Sequence, residues 1–338
     1  MRMLIIGGGA IGGVTAAYLT RAGVPVTLLC RDADTAERLR TAGMRVTGRR
    51  GELTVPLDAA CDAGALTGPF DYILIVTKSY DMPEAARSAL PLLAENGVMV
   101  SLQNGVCLEA LAAIAGRERT AACIVSFSST KRSDTQVEFT GEGGYLLGYA
   151  AAPADERLRQ LAALLSHAAP AQVTDEIFPA IYAKLIINSG ITCGGALCGL
   201  PLGRMLALPA ARRFFIAIVR EDMALAAALG IRVPPFGGKL DYAAFLRGDG
   251  LLGGLKRQLT LFAVGFRYRS LTSSSLTSLR RGKPTEVDYL NGWIAETARA
   301  HGVPVPVNAR LTEMIRQIEA GTRPISPDNL RELMGGPS

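Results

Sequence analysis

The sequence is poor in the residues that most metal and nucleic-acid sites require. Only two histidines, His167 and His301, occur in 338 residues. Neither stands near a second ligand, which argues against a zinc site and leaves no metal expected. The six cysteines, at positions 30, 61, 107, 123, 193 and 198, show no metal-ligand spacing. Most sit in apolar runs as small hydrophobes, and a reducing, cytoplasmic compartment is the natural reading. Aromatic residues make up 6% of the chain, and none interleave its basic clusters at Arg49 and Arg50 and at Arg280, Arg281 and Lys283. A stacking platform for nucleic acid is therefore not expected. Long apolar runs are also missing. The run 158–171 is too short or broken to span a bilayer. Three glycines interrupt the apolar start Met1–Ile6 before a signal-peptide core could form, so neither a membrane partner nor secretion is expected.

What the sequence does contain is ordinary globular material. Its 49% hydrophobic and 20% charged content supports real cores, and its net charge of +6 suits anionic small molecules without demanding a polyanion. The length suggests two domains. Up to about residue 175, short apolar strands (3–6, 26–30, 72–76, 98–102, 121–127) alternate with helical patterns (11–22, 83–93, 155–168). Such alternation predicts a mostly parallel sheet covered on both faces. Residues 43–56 read as a small antiparallel hairpin, and 136–140 with 144–148 as a closing hairpin. Beyond that point helical patterns dominate, at 181–200, 210–229, 255–264, 285–301 and 308–320. The Gly- and Pro-rich stretch 230–254 is a long connection, and residues 335–338 are expected to fray. The fold class is thus α/β: residues 1–175 form an N-terminal Rossmann dinucleotide-binding domain, and 176–338 a mostly α-helical substrate and catalytic domain.

The run Gly7-Gly8-Gly9-Ala10-Ile11-Gly12 follows a strand and opens a helix. It fits G-x-G-x-x-G, in which the first glycine makes the turn. The second admits the pyrophosphate, the third lets helix and strand pack closely, and the helix N-terminus favours the phosphate charge. The second strand ends Leu28-Leu29-Cys30-Arg31-Asp32. Arg31 can hold a 2′-phosphate by paired charge-assisted bonds, which favours NADP. A slip of one residue would instead make Asp32 a ribose acceptor. Thr77-Lys78-Ser79 and Gln103-Asn104-Gly105 follow later strands, so Lys78 and Asn104 lie on the ligand side of the sheet by topology.

In the helical half, Lys184 and Asn188 are four apart and share a helix face. Ser273-Ser274-Ser275 opens a polar stretch. Thr285 is a candidate N-cap with Asp288 as its box partner, and Glu286 lies between them. Each has a bland alternative, such as a snorkelling surface lysine or a favourable first-turn acid.

In this order, the pieces GGGAIGG, LLCR, the hairpin after GMRV, TKSYD, QNGV, KLIIN, SSSL, RGKPTEVDYLNG and AHGVPVPVN resemble the ketopantoate reductase (2-dehydropantoate 2-reductase) family over nearly the whole chain. The resemblance implies NADPH-dependent reduction of a 2-oxo acid to a 2-hydroxy acid, with ketopantoate to pantoate, in pantothenate biosynthesis, as the leading reaction. It implies Lys184 as general acid, with Glu286 beside it in the cleft and near the cofactor. Asn104, Asn188 and Ser274 become substrate positions, and Arg31 and Lys78 cofactor contacts. Thr192 stands where the family usually has a second Asn, and Ser278 where it usually has Asp. Both departures bear on which oxo acid is preferred. A dehydrogenase for another 2-oxo acid or an imine is the alternative, and a non-catalytic NADP-binding sensor a further one. The apolar C-terminal helices leave a homodimer open.

Overall fold

The computed structural model describes residues 1–238, 240–248 and 250–335. Lys239 and Asp249, within the Gly- and Pro-rich connection, and residues 336–338, where fraying was expected, lie outside the described residues. The chain divides into two compact units: Met1–Gln103 with Cys107–Phe178, and Asn104–Val106 with the chain from Pro179 onward.

The first unit is built on an eight-stranded sheet. Its order runs Ala171–Val173, Tyr145–Tyr149, Thr120–Val125, Leu93–Ser101, Phe70–Ile75, Met3–Ile6, Val26–Leu29 and Asp58–Ala60. All neighbours are parallel except Tyr145–Tyr149, which runs antiparallel to Thr120–Val125. The central strand Met-Leu-Ile-Ile is buried on both faces, as a parallel strand covered by helices must be. It pairs in register with strands on either side, Ile6 lying opposite both Leu29 and Ile75. The three strands therefore end level with one another. The crossover direction reverses on either side of the Met3–Ile6 strand, and ligands of open α/β sheets bind beyond strand ends at such a point.

A second sheet, in the order Leu53–Val55, Met44–Gly48, Gln136–Gly141, Ser128–Ser133, covers the helix Ala10–Arg21. Enclosure explains why that helix is rich in Gly and Ala. A Cβ on Gly13 would stand 3.0 Å from Met44 and 3.1 Å from Val137, and Thr15 shares a 2.7 Å hydrogen bond with the Tyr145 hydroxyl. The hairpin at 43–56 forms as expected. The closing hairpin does not. Gln136–Gly141 pairs antiparallel with Ser128–Ser133, and Tyr145–Tyr149 joins the large sheet. Val137 and Phe139 are buried in one sheet and Tyr145 and Leu147 in the other, so the two strands serve separate layers. Ser128–Ser133 is polar and carries no strand pattern in the sequence, which is why its partner was misassigned.

The second unit is helical. Its core is Ile177–Asn188, continued by one π-helical stretch, Ser189–Cys193, and then Gly194–Cys198. This continuous 22-residue helix is long and apolar enough to cross a membrane, against the expectation that all apolar runs are too short or broken. It is instead mostly buried inside the protein. Gly190 and Gly194 let Phe215 and Phe214 of the helix Pro209–Ala228 approach, since a Cβ at either would meet an aromatic ring at 2.5 and 2.7 Å. The Gly- and Pro-rich connection is partly ordered by a short helix, Tyr242–Leu246, and the next helix begins earlier than expected, spanning Gly250–Arg267.

Candidate active site

The first unit carries the glycine turn. Gly7 has φ of 117°, and a Cβ there would lie 2.9 Å from the Val76 carbonyl carbon, so the turn and the neighbouring strand end require glycine together. A Cβ on Gly12 would lie 2.1 Å from the Gly7 oxygen. Gly9 differs: it sits at φ −78°, and a Cβ there would meet nothing within 4 Å. The requirement for glycine at position 9 is therefore not packing but access. Gly8 abuts Cys30, and Ala10 and Ile11 open a helix that has no side-chain cap and no acid in its first turn. Its leading amides are thus available to an anion. The Thr77 hydroxyl oxygen, one residue past the Val76 that crowds Gly7, is buried without a hydrogen-bond partner. Gln103 ties the adjacent strand ends, its Nε2 donating to the Ile75 carbonyl at 2.9 Å and its Oε1 accepting from Ser101 at 2.5 Å. These features fit a dinucleotide pyrophosphate.

Arg31 is exposed directly after its strand. Asp32 is committed to capping the helix Ala33–Thr41, accepting from the Thr35 amide at 2.8 Å and hydroxyl at 3.1 Å. Those donors hold its carboxyl below the usual range. Lys78 is half-buried at the start of the turn Ser79–Asp81 that follows Phe70–Ile75.

The second unit holds the polar cluster. Along the core helix, Lys184, Ile187, Asn188, Ile191 and Thr192 are partly accessible while their neighbours are buried. This is one helical stripe, and its polar members are Lys184, Asn188 and Thr192. The Thr192 hydroxyl and Asn188 Oδ1 lie 3.5 Å apart, as do Asn188 Nδ2 and Asn104 Oδ1. Contacts this long leave the Asn188 and Thr192 side chains room to turn toward a ligand. Asn104 arrives from between two strands of the first unit, yet its turn belongs to the second. Gly105, at φ 84°, packs against the Tyr289 carbonyl, and the Val106 amide donates to that same oxygen at 3.2 Å. The Tyr289 amide in turn bonds the Glu286 carbonyl at 3.0 Å, so the Asn104 and Glu286 segments are fastened together.

Glu286 is buried. Thr285 does not form the expected capping box. Its amide and hydroxyl both donate to Glu319, at 2.7 and 2.6 Å, while Asp288 pairs with Arg316. Glu319 thus takes the place expected of Asp288, while the Thr285 hydroxyl still accepts from the Val287 amide at 3.1 Å. The following segment is a short 3₁₀ turn, Val287–Tyr289, rather than the start of one long helix. Of the three serines, Ser273 caps the helix Ser274–Arg280, Ser274 is exposed and Ser275 has a buried hydroxyl without a partner. The cap seats on Gly195, where a Cβ would meet its hydroxyl at 2.8 Å. Ser278 is buried on the same short helix.

Sequence reasoning missed the groups that brace this cluster. Asn308 donates to Glu221 and Asp222 at 2.8 and 2.9 Å and accepts from Asn291 at 2.8 Å. Asn291 also reaches the Ser189 carbonyl, at 3.4 Å, where the π-helical stretch begins. Burial pushes the Asp222 carboxyl well above its usual range. No local pattern marks four residues spread over 88 positions as one network.

Family models for ketopantoate reductase PanE/ApbA match residues 3–152, and for its C-terminal domain residues 176–319. The chain belongs to the ketopantoate reductase family. Members of this family are NAD(P)-dependent oxidoreductases, and the chain is one. A 2-dehydropantoate 2-reductase of Halobacterium salinarum is 26% identical over 322 residues, covering 94% of this chain and 98% of that one. A PanE/ApbA family ketopantoate reductase from Ralstonia eutropha superposes with a TM-score of 0.80 at 28% identity, covering 95% and 99% of the two chains. D-mandelate dehydrogenase, solved with NADH and anilino(oxo)acetate, shares the fold at a TM-score of 0.80 and 20% identity, with 95% and 99% coverage. The family fold thus spans both halves of the chain, including the helical half that carries Lys184.

Proposed function

We propose that this protein reduces a 2-oxo acid to the 2-hydroxy acid with NADPH, and that 2-dehydropantoate, giving pantoate for pantothenate biosynthesis, is its substrate. The reading rests on one observation: the only polar members of an otherwise apolar helical stripe are Lys184, Asn188 and Thr192, with Asn104 in reach of Asn188. Gly7, Gly8, Gly9, Ala10, Ile11 and Gly12 would hold the pyrophosphate, with Arg31 at the 2′-phosphate and Lys78 and Glu286 as further contacts. The engagement of Asp32 as a helix cap supports NADPH over NADH, because it leaves Arg31 as the group at the strand end. The reduced nicotinamide supplies the hydride. Lys184, as an ammonium, stabilises the negative charge growing on the substrate's carbonyl oxygen and gives that oxygen its proton. Asn104, Asn188, Thr192 and Ser274 orient the carboxylate and the neighbouring hydroxyl, and Glu286 orients the ammonium.

A different 2-oxo acid is favoured by one feature, Thr192, whose hydroxyl is shorter than the family's usual Asn and offers one donor instead of two. NADPH oxidation measured against a panel of 2-oxo acids tests both readings. Turnover with 2-dehydropantoate at the highest kcat/KM supports the first, and a stronger preference for another acid selects the second. No turnover with any 2-oxo acid would remove the enzymatic assignment.

A further inference from the structure

The core helix of the second unit changes pitch inside its polar stripe. Ile177–Asn188 is α-helical, Ser189–Cys193 is π-helical, and Gly194–Cys198 is α-helical again. An α-helix advances about 100° per residue, whereas the wider π turn advances about 82°. Had α geometry continued, Thr192 would stand about 80° round the axis from Lys184, and Gly195 only about 20°. The π stretch instead returns Thr192 to within about 30° of Lys184 and carries Gly195 about 50–70° to the other side. Burial follows the second set of angles. Thr192 is partly accessible, while Gly195 is buried against the Ser273 hydroxyl.

Packing and a chain of hydrogen bonds hold this change of pitch. Phe215 sits on Gly190 within the stretch and Phe214 on Gly194 just past its end. Asn291, the first residue of the helix Asn291–Ala300, donates to the Ser189 carbonyl at 3.4 Å, where the stretch begins. Asn291 is itself fixed. Its Nδ2 also donates to Asn308 Oδ1 at 2.8 Å, and Asn308 Nδ2 is shared between Glu221 and Asp222. Glu221 in turn accepts the Val307 and Asn308 amides, at 2.8 and 2.9 Å, at the start of the helix Pro306–Glu319. The bonds thus run from the first turns of two helices to one carbonyl of the π stretch. They leave the Ser189 hydroxyl and Asn291 Oδ1 buried without hydrogen-bond partners. A plain α-helix sealed by apolar side chains would not carry that cost.

Building on the 2-oxo acid reading, we propose that the π stretch is a specificity element that turns Thr192 into line with Lys184 and Asn188, and that Asn291 is the positioning residue that holds it there. Lys184 serves the carbonyl oxygen. Thr192, further along the same line, meets a polar group of the acid away from the reacting carbon, with one hydroxyl that both donates and accepts. The acids favoured are those with a hydroxyl in the side chain, over purely alkyl ones. Asn291 touches neither substrate nor cofactor in this scheme and acts only through the pitch of the helix.

The test compares kcat and KM for 2-dehydropantoate and for the same acid without its hydroxyl, in the parent, Thr192→Val, Asn291→Ser and the double variant. Thr192→Val should lower the kcat/KM preference for the hydroxylated acid by at least about fivefold. Asn291→Ser should lower the same preference by at least about threefold, through KM, with kcat within about twofold and NADPH affinity unchanged. In the Thr192→Val background it should lower the preference no further, since a residue acting through Thr192 has nothing left to act on. Equal losses in both backgrounds, or an unchanged preference in Asn291→Ser, overturn the proposal alone. A parent that turns over neither acid, or both equally, removes the pantoate reading and this proposal with it. A second measurement leaves Asn291 untouched. In Cys61→Ser, which removes the exposed native thiol, Thr192→Cys should react with a small methanethiosulfonate and be protected at least tenfold by NADP with the 2-hydroxy acid. A cysteine at 192 that does not react, or reacts without protection, overturns the proposal even where Asn291→Ser fails to fold.

Discussion

Gly9 and Gly12 offer the sharpest test of the dinucleotide cradle, because the structure predicts opposite consequences for the same substitution. A methyl at position 9 points into open space from a backbone conformation that alanine adopts freely. Gly9→Ala should therefore leave stability unchanged or raise it by up to about 1 kcal/mol, by restricting the unfolded chain. The same methyl stands where a pyrophosphate must approach the helix amides. Losing one or two charge-assisted hydrogen bonds costs about 1.5–3 kcal/mol each, so NADPH binding should weaken by at least about tenfold. At position 12 the methyl would lie 2.1 Å from the Gly7 oxygen, deeper than any contact can bear. Strand, turn or helix must then shift, and Gly12→Ala should cost about 1–3 kcal/mol of stability besides disturbing binding. Calorimetric titration with NADPH and urea denaturation of both variants separate the two effects. Wild-type NADPH affinity in Gly9→Ala would refute the assignment of that open space to the cofactor. A large stability loss in the same variant would show that the space is not open.

Lys184→Ala should lower kcat by about 10²–10⁴-fold with NADPH affinity retained, and an unchanged kcat would exclude Lys184 as the proton donor. Arg31→Ala should cut the preference for NADPH over NADH by tenfold or more. Asp32→Ala, which removes a helix cap, should lower the melting temperature without moving that ratio, and the reverse pattern in kcat/KM would exchange their roles. The raised carboxyl of Asp222 means that the folded state holds its proton more tightly than the unfolded chain. Stability from this group is full below the unfolded value near about 3.9 and declines as pH rises toward the folded value. Denaturant midpoints between pH 4 and 8 should therefore fall less in Asp222→Asn than in the parent. A residual slope should come from Glu221, also raised by burial.

How much of this was legible in the sequence depends on how local each signal was. The glycine turn, the alternating strands and helices and the polar pair at 184 and 188 are readable because backbone geometry ties each to a short spacing. A strand that must be buried on both faces reads Met-Leu-Ile-Ile wherever it occurs, and residues four apart on a helix share a face in any fold. The motif alone assigns Gly7 to the tight turn and Gly12 to close packing, and the atoms they approach belong to a neighbouring strand end and to the turn itself.

What local spacing could not carry, the tertiary structure decided. Gln136–Gly141 found its partner in a polar strand because the second sheet needed Val137 and Phe139 against the helix Ala10–Arg21. Thr285 keeps a local bond from the Val287 amide, but Glu319, 34 residues away, accepts from the Thr285 amide and hydroxyl in place of the expected Asp288. Asn104 joined the helical unit because Gly105 fits against Tyr289. The network of Glu221, Asp222, Asn291 and Asn308 exists only once four helical segments meet. The sequence by itself determined most of the strands and helices and the glycine turn after the first strand, because those follow from backbone geometry over a few residues. Only the tertiary structure decided which distant polar side chains stand together in the helical unit, because burying a polar group compels it to find whatever partner the fold brings near.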